Sequence, residues 1–226
     1  MNNTTDIEPE EPSRETIRQI LREALHQGII ASAQRQLRNF TGVFEANIRY
    51  IDPETDLSFD HWISEISANM VGVKAHLRCH YSSTTARRLT ERLMGKGAGD
   101  PSYYLSTLGE LCNITMGCVK RRFVSAFREH YSAAPALLIT TPDTYPSYDM
   151  ATWRGSEGGR NRAWEIDMGD VSLLCESTVE IDIDLLVRDY ALLDPERHES
   201  LMAYLCSISG LRAAILKEEP ARPMAA

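Results

Sequence analysis

Residues 102–123 read SYYLSTLGELCNITMGCVKRRF, and their apolar side chains recur at intervals of three and four residues. This spacing is typical of an amphipathic α-helix and predicts one over about residues 102–131. One side of the helix is expected to pack on a β-sheet. That side carries Leu108, Leu111, Cys112, Thr115, Met116, Val119 and Phe123.

A stripe on the opposite side of this helix consists of Ser106, Glu110, Asn113 and Gly117. At about 100° per residue these four fall within an arc of roughly 60°, so Glu110 and Asn113 are expected to face solvent. Spacing alone favours an ordinary solvated helix surface. Asparagine is a poor helix former, however, and glycine inside a helix costs about 1 kcal/mol relative to alanine. This cost in helix stability indicates that the stripe has a compensating role. Binding of another protein would fit, because small flanking residues let a partner approach closely.

The rest of the chain alternates between helical and strand patterns around this helix. The 142–160 segment is polar and predicts a long loop, and Ala68-Asn69 predicts the turn of a hairpin. In chain order, the predicted elements are a helix over about 14–38, strands over 43–51, 62–66 and 70–79, a helix over 82–94, the helix described above, strands over 136–141, 162–168 and 170–182, and a helix over 195–217.

Both ends of the chain are predicted to lie outside the main domain, which covers residues 13–190. Residues 1–12 contain two prolines, four acidic residues and almost nothing apolar, so we expect a flexible acidic leader. Residues 191–226 are expected to form a C-terminal helical extension with a short tail. Its helix begins at Asp194-Pro195, where aspartate caps a helix and proline suits the first turn.

The composition excludes several classes of function. The chain has 226 residues with 24 Lys and Arg against 32 Asp and Glu, and its net charge of −8 gives no basic footprint for nucleic acid. The first residues lack the basic and apolar segments of a secretory signal, and no apolar run approaches the roughly 20 residues that span a bilayer. We expect a cytoplasmic protein with no nucleic-acid or membrane partner.

Three other groups of residues do not match the functional sites that their residue types suggest. The glycine-rich segment 94–100 lacks phosphate-loop spacing and follows a helix, which indicates a helix end and linker. In a strand, His76 and His80 share a face but Cys79 does not, so no metal site is predicted. The cysteines are odd in number and form no CxxC pair, which favours free buried thiols. They are Cys79, Cys112, Cys118, Cys175 and Cys206.

The stripe resembles a known signature. Ser106-x3-Glu110-x2-Asn113-x3-Gly117, within the run LGELCNITMG, is similar to the signature helix of the CheC/CheX/FliY chemotaxis phosphatases, whose pattern is [Asp/Ser]-x3-Glu-x2-Asn. The order of elements over residues 14–185 also resembles CheX, with one signature copy where CheC carries two. The resemblance implies an α/β fold (an α+β sandwich), with long helices packed on a mainly antiparallel sheet.

The resemblance also implies an activity, which is hydrolysis of the aspartyl phosphate on a CheY-like response-regulator receiver domain. It implies that Asn113 holds the attacking water in line and that Glu110 pairs with a lysine of the receiver. The Mg²⁺ would come from the receiver, so no cofactor of the chain's own is expected. An alternative is a non-catalytic module of the same fold that binds a receiver or a flagellar-switch component.

Further residues are assigned to partner binding, and some depart from the family. Ser106, Gly117 and Arg121 are expected to contact the receiver. Cys118 stands where CheX sequences often have asparagine, and Arg121 with Arg122 makes the end of the helix unusually basic. These departures indicate a different choice of partner.

A homodimer is expected, partly from the resemblance and partly from the strands predicted at 162–168 and 170–182. Their apolar side chains would form an exposed sheet edge unless paired or covered. The competing expectation is that Leu201, Leu205, Ile208 and Leu211 of the 195–217 helix cover that edge within one chain. The apolar residues of the edge are Trp164, Ile166, Val171, Leu173 and Leu174.

Overall fold

A computed structural model describes residues 13–43, 45–51, 61–98, 100–128, 138–147, 160–186 and 188. Over these residues the helices and strands alternate much as the sequence predicts. They are α1 (Arg14–Thr41), β1 (Asn47–Ile51), β2 (His61–Met70), β3 (Val73–Tyr81), α2 (Ser83–Met94), α3 (Ser102–Arg128), β4 (Leu138–Ile139), β5 (Asp143–Ser147), β6 (Asn161–Asp167) and β7 (Ser172–Ile181).

The ends of α1 are set by its capping residues. The Ser13 hydroxyl accepts a hydrogen bond from the Thr16 amide at 3.2 Å, as expected for an N-cap. At the other end Gly42 takes a left-handed φ of +69°, and its N–H donates to the Arg38 carbonyl at 2.8 Å. The predicted helix is confirmed, and it continues three residues further, to Thr41.

The strands form one antiparallel sheet with the order β1-β6-β7-β3-β2-β4, and β5 also pairs with β2. Its core-facing side packs against the helices. In α1 the His26 Nδ1 lies 2.7 Å from the Ser177 hydroxyl of β7, and in α3 the Cys112 thiol donates to the Ser64 carbonyl of β2 at 3.6 Å. Side chains of all three helices join those of the sheet in one apolar core. The predicted fold class is confirmed.

The hairpin of β2 and β3 is confirmed, but its turn was predicted in the wrong place. Ala68 and Asn69 belong to β2, and the turn lies at Val71-Gly72. Gly72 takes a φ of +74°, and a Cβ there would lie 2.7 Å from the Asp182 carbonyl oxygen. Only glycine lets the turn approach the end of β7 so closely.

The predicted loop over residues 142–160 is wrong in its first part. Residues 143–147 form β5, which pairs antiparallel with β2 from Asp143 opposite Glu65 to Ser147 opposite His61. Pro146 is tolerated because β5 lies at the edge of the sheet. Residues 148–159 lie outside the described residues.

The predicted sheet edge is also wrong. β6 lies between β1 and β7, and β7 lies between β6 and β3, so neither is an edge strand. Trp164, Ile166 and Leu173 are accordingly buried in the core. The described part of the sheet ends at β1 on one side and at β4 and β5 on the other.

Several predictions fall outside the described residues. They concern the leader over residues 1–12, the helix over 195–217 and Cys206. The same holds for the end of the helix predicted over 102–131, since α3 is described as far as Arg128.

Candidate functional site

The buried side of α3 has the residues that the periodicity predicts. Each of the seven is 3% exposed or less: Leu108, Leu111, Cys112, Thr115, Met116, Val119 and Phe123. Leu105, which continues the same apolar series in the first turn of α3, is 50% exposed.

Contacts from three elements fix α3 in place. The rings of Tyr104 and Trp62 meet edge to face with centroids 5.3 Å apart, which ties the start of α3 to β2. The Gln36 carboxamide of α1 donates to the Cys118 sulfur at 3.3 Å. Gly109 lies against β5, where a Cβ would lie 3.4 Å from the Thr144 hydroxyl. A helix held on both flanks presents its exposed side in one orientation.

The predicted stripe lies on that exposed side. Glu110 and Asn113 are exposed, as predicted, and Ser106 is exposed as well. The Asn113 Nδ2 donates a hydrogen bond to the Glu110 Oε2 at 3.3 Å. The helix thus brings a carboxylate and a carboxamide together one turn apart, where both can reach a partner.

Gly117 and Arg121 extend the stripe toward the end of α3. Gly117 is half-buried, yet a Cβ built on it would meet nothing within 4 Å. No packing within the described chain requires glycine there, and the helix loses stability by having it. Arg121 is exposed, with its guanidinium 3.9 Å from the Cys118 sulfur. Among the described residues, open space therefore remains beside Gly117, and the cation of Arg121 lies one turn further along α3.

Beneath the stripe lies a cluster of buried free thiols. The sulfurs of Cys79 and Cys175 are 3.7 Å apart, and Cys112 lies beside Cys79. The hydrogen bond to Cys79 and burial raise the pKa of Cys112 well above its usual range, and burial raises the pKa of Cys175. Cys112 and Cys175 are therefore neutral packing groups. The predicted free, buried thiols are confirmed for these three residues, whereas Cys118 is free but half-buried.

The histidines of β3 share a face, as predicted, on the side of the sheet away from the helices. The Nε2 of His76 lies 3.5 Å from a Glu65 oxygen, and that of His80 lies 3.8 Å from a Glu176 oxygen. Arg78 sits between the two carboxylates at 2.9 and 2.7 Å and would repel a cation. Among the residues that the structure describes, no group of three or more His, Cys, Asp and Glu side chains could hold a metal ion.

Burial and neighbouring charges shift the pKa values of two side chains on this face of the sheet. Burial would raise the pKa of Glu176, but His80 and Arg78 together hold it below its usual value. Burial and the neighbouring Arg78 lower the pKa of His76. The ionisable side chains of this face thus form a paired, largely buried polar surface, opposite to α3. They are Glu65, His76, Arg78, His80 and Glu176.

A polar cavity of about 500 Å³ lies at the start of α1, beside the end of β7. Three arginines and three carboxylates line it, so its charges balance. Its lining residues are Glu15, Arg18, Arg22, Arg160, Glu180, Ile181 and Asp182. None of them belongs to the stripe.

Sequence reasoning missed the apolar residues around the start of the stripe. Tyr103 and Leu105 are 43% and 50% exposed, and Met94 at the end of α2 is 52% exposed. The Met94 sulfur accepts a hydrogen bond from Thr107, the residue after Ser106, at 3.6 Å. The helix period could have signalled Tyr103, because it lies one turn before Ser106.

Solved structures with this fold share little sequence with the chain. CheX of Vibrio vulnificus superposes with a TM-score of 0.53 at 14% identity, over 69% of this chain and 99% of that one. A chemotactic CheC-like protein from Shewanella oneidensis MR-1 gives 0.52 at 12% identity, over 70% and 98% of the two chains. No family model matches the chain, and neither does any curated protein.

One further structure of this kind is a complex. It is the CheX–CheY–BeF₃–Mg²⁺ complex from Borrelia burgdorferi, with a TM-score of 0.50 and 13% identity, over 69% of this chain and 97% of that one. The chain therefore has the fold of CheC-like and CheX chemotaxis proteins, as its signature helix and element order predict.

Proposed function

We propose that the protein is a phosphatase that hydrolyses the aspartyl phosphate of a CheY-like receiver domain. The observation that carries this proposal is the exposed Glu110–Asn113 pair, joined by a hydrogen bond on the outer face of α3 in a CheX-like fold. The complex of CheX with CheY, BeF₃ and Mg²⁺ supports a receiver as the partner.

The residues suit this chemistry. Hydrolysis of an acyl phosphate needs a water in line with the breaking bond, and a carboxamide binds water without being ionised. Asn113 would hold that water, and Glu110 would pair with a lysine of the receiver. The Mg²⁺ that neutralises the phosphoryl charge would come from the receiver, in keeping with the metal in the CheX–CheY complex.

The other stripe residues would contact the receiver. Ser106 and Gly117 are small enough to let the receiver approach the helix closely. Arg121 would lie two turns beyond Asn113, where its cation suits an acidic receiver surface. We assign these three residues to partner binding.

The direct test follows phosphate loss from a phosphorylated receiver with and without the protein. Asn113→Ala should lower the acceleration by roughly 10²-fold, because the attacking water is no longer held in line. Its melting temperature should stay near that of the parent, since the side chain is exposed.

Asn39→Ala is the matched control, because Asn39 is also an exposed asparagine on a helix. It should leave the acceleration unchanged. An Asn113→Ala protein as active as the parent would refute the catalytic assignment. A parent that binds the phosphorylated receiver without speeding hydrolysis would instead establish the alternative, a binding module.

We also propose that the protein acts in the cytoplasm, where phosphorylated receivers are found. No helix in the described part of the chain is long and apolar enough to cross a bilayer.

The proposal includes a homodimer. In the described part of the sheet β1 is an edge strand that exposes Tyr50, and strand edges tend to be covered by another chain or element. Light scattering on the full chain should give twice the 25.4 kDa mass of one chain. A monomer at micromolar concentration would contradict the dimer and leave the activity assay unaffected.

A further inference from the structure

We propose that Glu110 also sets the orientation of the Asn113 carboxamide before any receiver binds. This inference rests on the proposed function and adds a second role for Glu110 as a positioning residue. Its basis is the hydrogen bond from the Asn113 Nδ2 to the Glu110 Oε2 at 3.3 Å. Among the described residues, Asn113 has no other side-chain hydrogen bond.

The chemistry of the two groups dictates which end of the carboxamide faces Glu110. An ionised carboxylate can only accept hydrogen bonds, whereas a carboxamide donates through nitrogen and accepts through oxygen. The reverse orientation would set the Asn113 oxygen against the negative carboxylate. The nitrogen therefore faces Glu110, and the Oδ1 of Asn113 is the atom left to meet a partner.

That orientation is the productive one for hydrolysis. A water that donates a hydrogen bond to the Asn113 Oδ1 keeps a lone pair free to attack phosphorus. In the reverse orientation, the Asn113 N–H would bind the lone pair that the attack requires. In the reaction the water oxygen bonds to phosphorus and the aspartyl O–P bond breaks. The aspartate leaves as a carboxylate, and both water hydrogens end on inorganic phosphate as H₂PO₄⁻.

The positioning role is compatible with pairing to a receiver lysine, because a carboxylate has two oxygens. Oε2 of Glu110 accepts from Asn113, and Oε1 remains available to the lysine. Glu110 can therefore bind the receiver and keep Asn113 oriented at the same time.

The first measurement uses the free protein, so it does not depend on any receiver. The ¹⁵N NMR signals of the Asn113 side-chain NH₂ group report its hydrogen bond. Glu110→Gln keeps the shape but can donate as well as accept, and Glu110→Ala removes the acceptor, so both should shift these signals. Glu180→Gln is the control, because Glu180 is exposed on β7, outside the stripe. Unchanged Asn113 signals in both Glu110 variants would overturn the proposal.

The second measurement is the rate of phosphate release when the receiver is saturated with protein. Glu110→Gln should lower this saturated rate by roughly tenfold, because part of the carboxamide population then points the wrong way. A residue that only docks the receiver would change the concentration needed for saturation and leave the saturated rate intact, which would also overturn the proposal. Failure of the proposed function is a separate result, in which Asn113→Ala stays fully active.

Discussion

The buried and exposed faces of α3 differ in what explains their residues. On the buried face every predicted side chain packs in the core, and even Thr115 satisfies its hydroxyl by donating to the Leu111 carbonyl at 2.7 Å. On the exposed face Asn113 and Gly117 both weaken the helix, and nothing in the described chain packs where a Cβ of Gly117 would lie. The stability of the chain accounts for the first face. The receiver that we propose as the partner would account for the second face.

The largest expected effect tests the buried face. Phe123→Ala should lower the free energy of unfolding by about 3–5 kcal/mol, because Phe123 is 2% exposed and its removal leaves a cavity. Urea denaturation measures this change. Tyr103→Ala is the control, since this aromatic residue of the same helix is 43% exposed and should cost far less. Equal losses in the two variants would break the distinction between the faces.

The buried face could be predicted from sequence because its information is local. The three-and-four spacing of apolar residues depends only on the helix period, so it located α1, α3 and the core side of α3. The same period placed Glu110 and Asn113 on one exposed stripe. It could not reveal the hydrogen bond between them, which depends on side-chain rotamers.

The errors arose where distant parts of the chain meet. β5 has the polar sequence DTYPS and is a strand only because β2 offers it an edge. The Val71-Gly72 turn follows from the close approach of Gly72 to Asp182, more than 100 residues away. The position of β6 inside the sheet follows from its pairing with β1, again more than 100 residues away. Local sequence patterns carry no information on which distant segments of the same chain will pair or pack together.

A smaller effect tests the charge on the exposed face. Glu110→Lys should weaken receiver binding at least tenfold, roughly 1.4 kcal/mol or more, because like charges then meet at the interface. The loss should shrink as salt screens the repulsion. Titration calorimetry at two salt concentrations measures both effects. Glu180→Lys is the control, because Glu180 is exposed on β7, outside the stripe. Unchanged affinity at low salt would mean that Glu110 is only a solvated helix residue.

The smallest expected effect compares the two glycines inside α3. Replacing either with alanine should raise helix propensity by up to about 1 kcal/mol. Gly117→Ala adds a Cβ that meets nothing within 4 Å, so most of that gain should appear as stability in urea denaturation. Gly109→Ala adds a Cβ 3.4 Å from the Thr144 hydroxyl and 3.6 Å from Pro142, so its gain should be smaller.

Receiver binding then separates the two variants. The extra methyl of Gly117→Ala would stand in the space that we assign to the receiver, one turn beyond Asn113, so affinity should fall while stability rises. Gly109 faces β5, so Gly109→Ala should leave affinity unchanged. A protein can keep a destabilising glycine on an exposed face when function requires it. If Gly117→Ala is more stable and binds as tightly as the parent, the glycine has no docking role. The proposed interface would then end short of Gly117 and be centred on Ser106, Glu110 and Asn113.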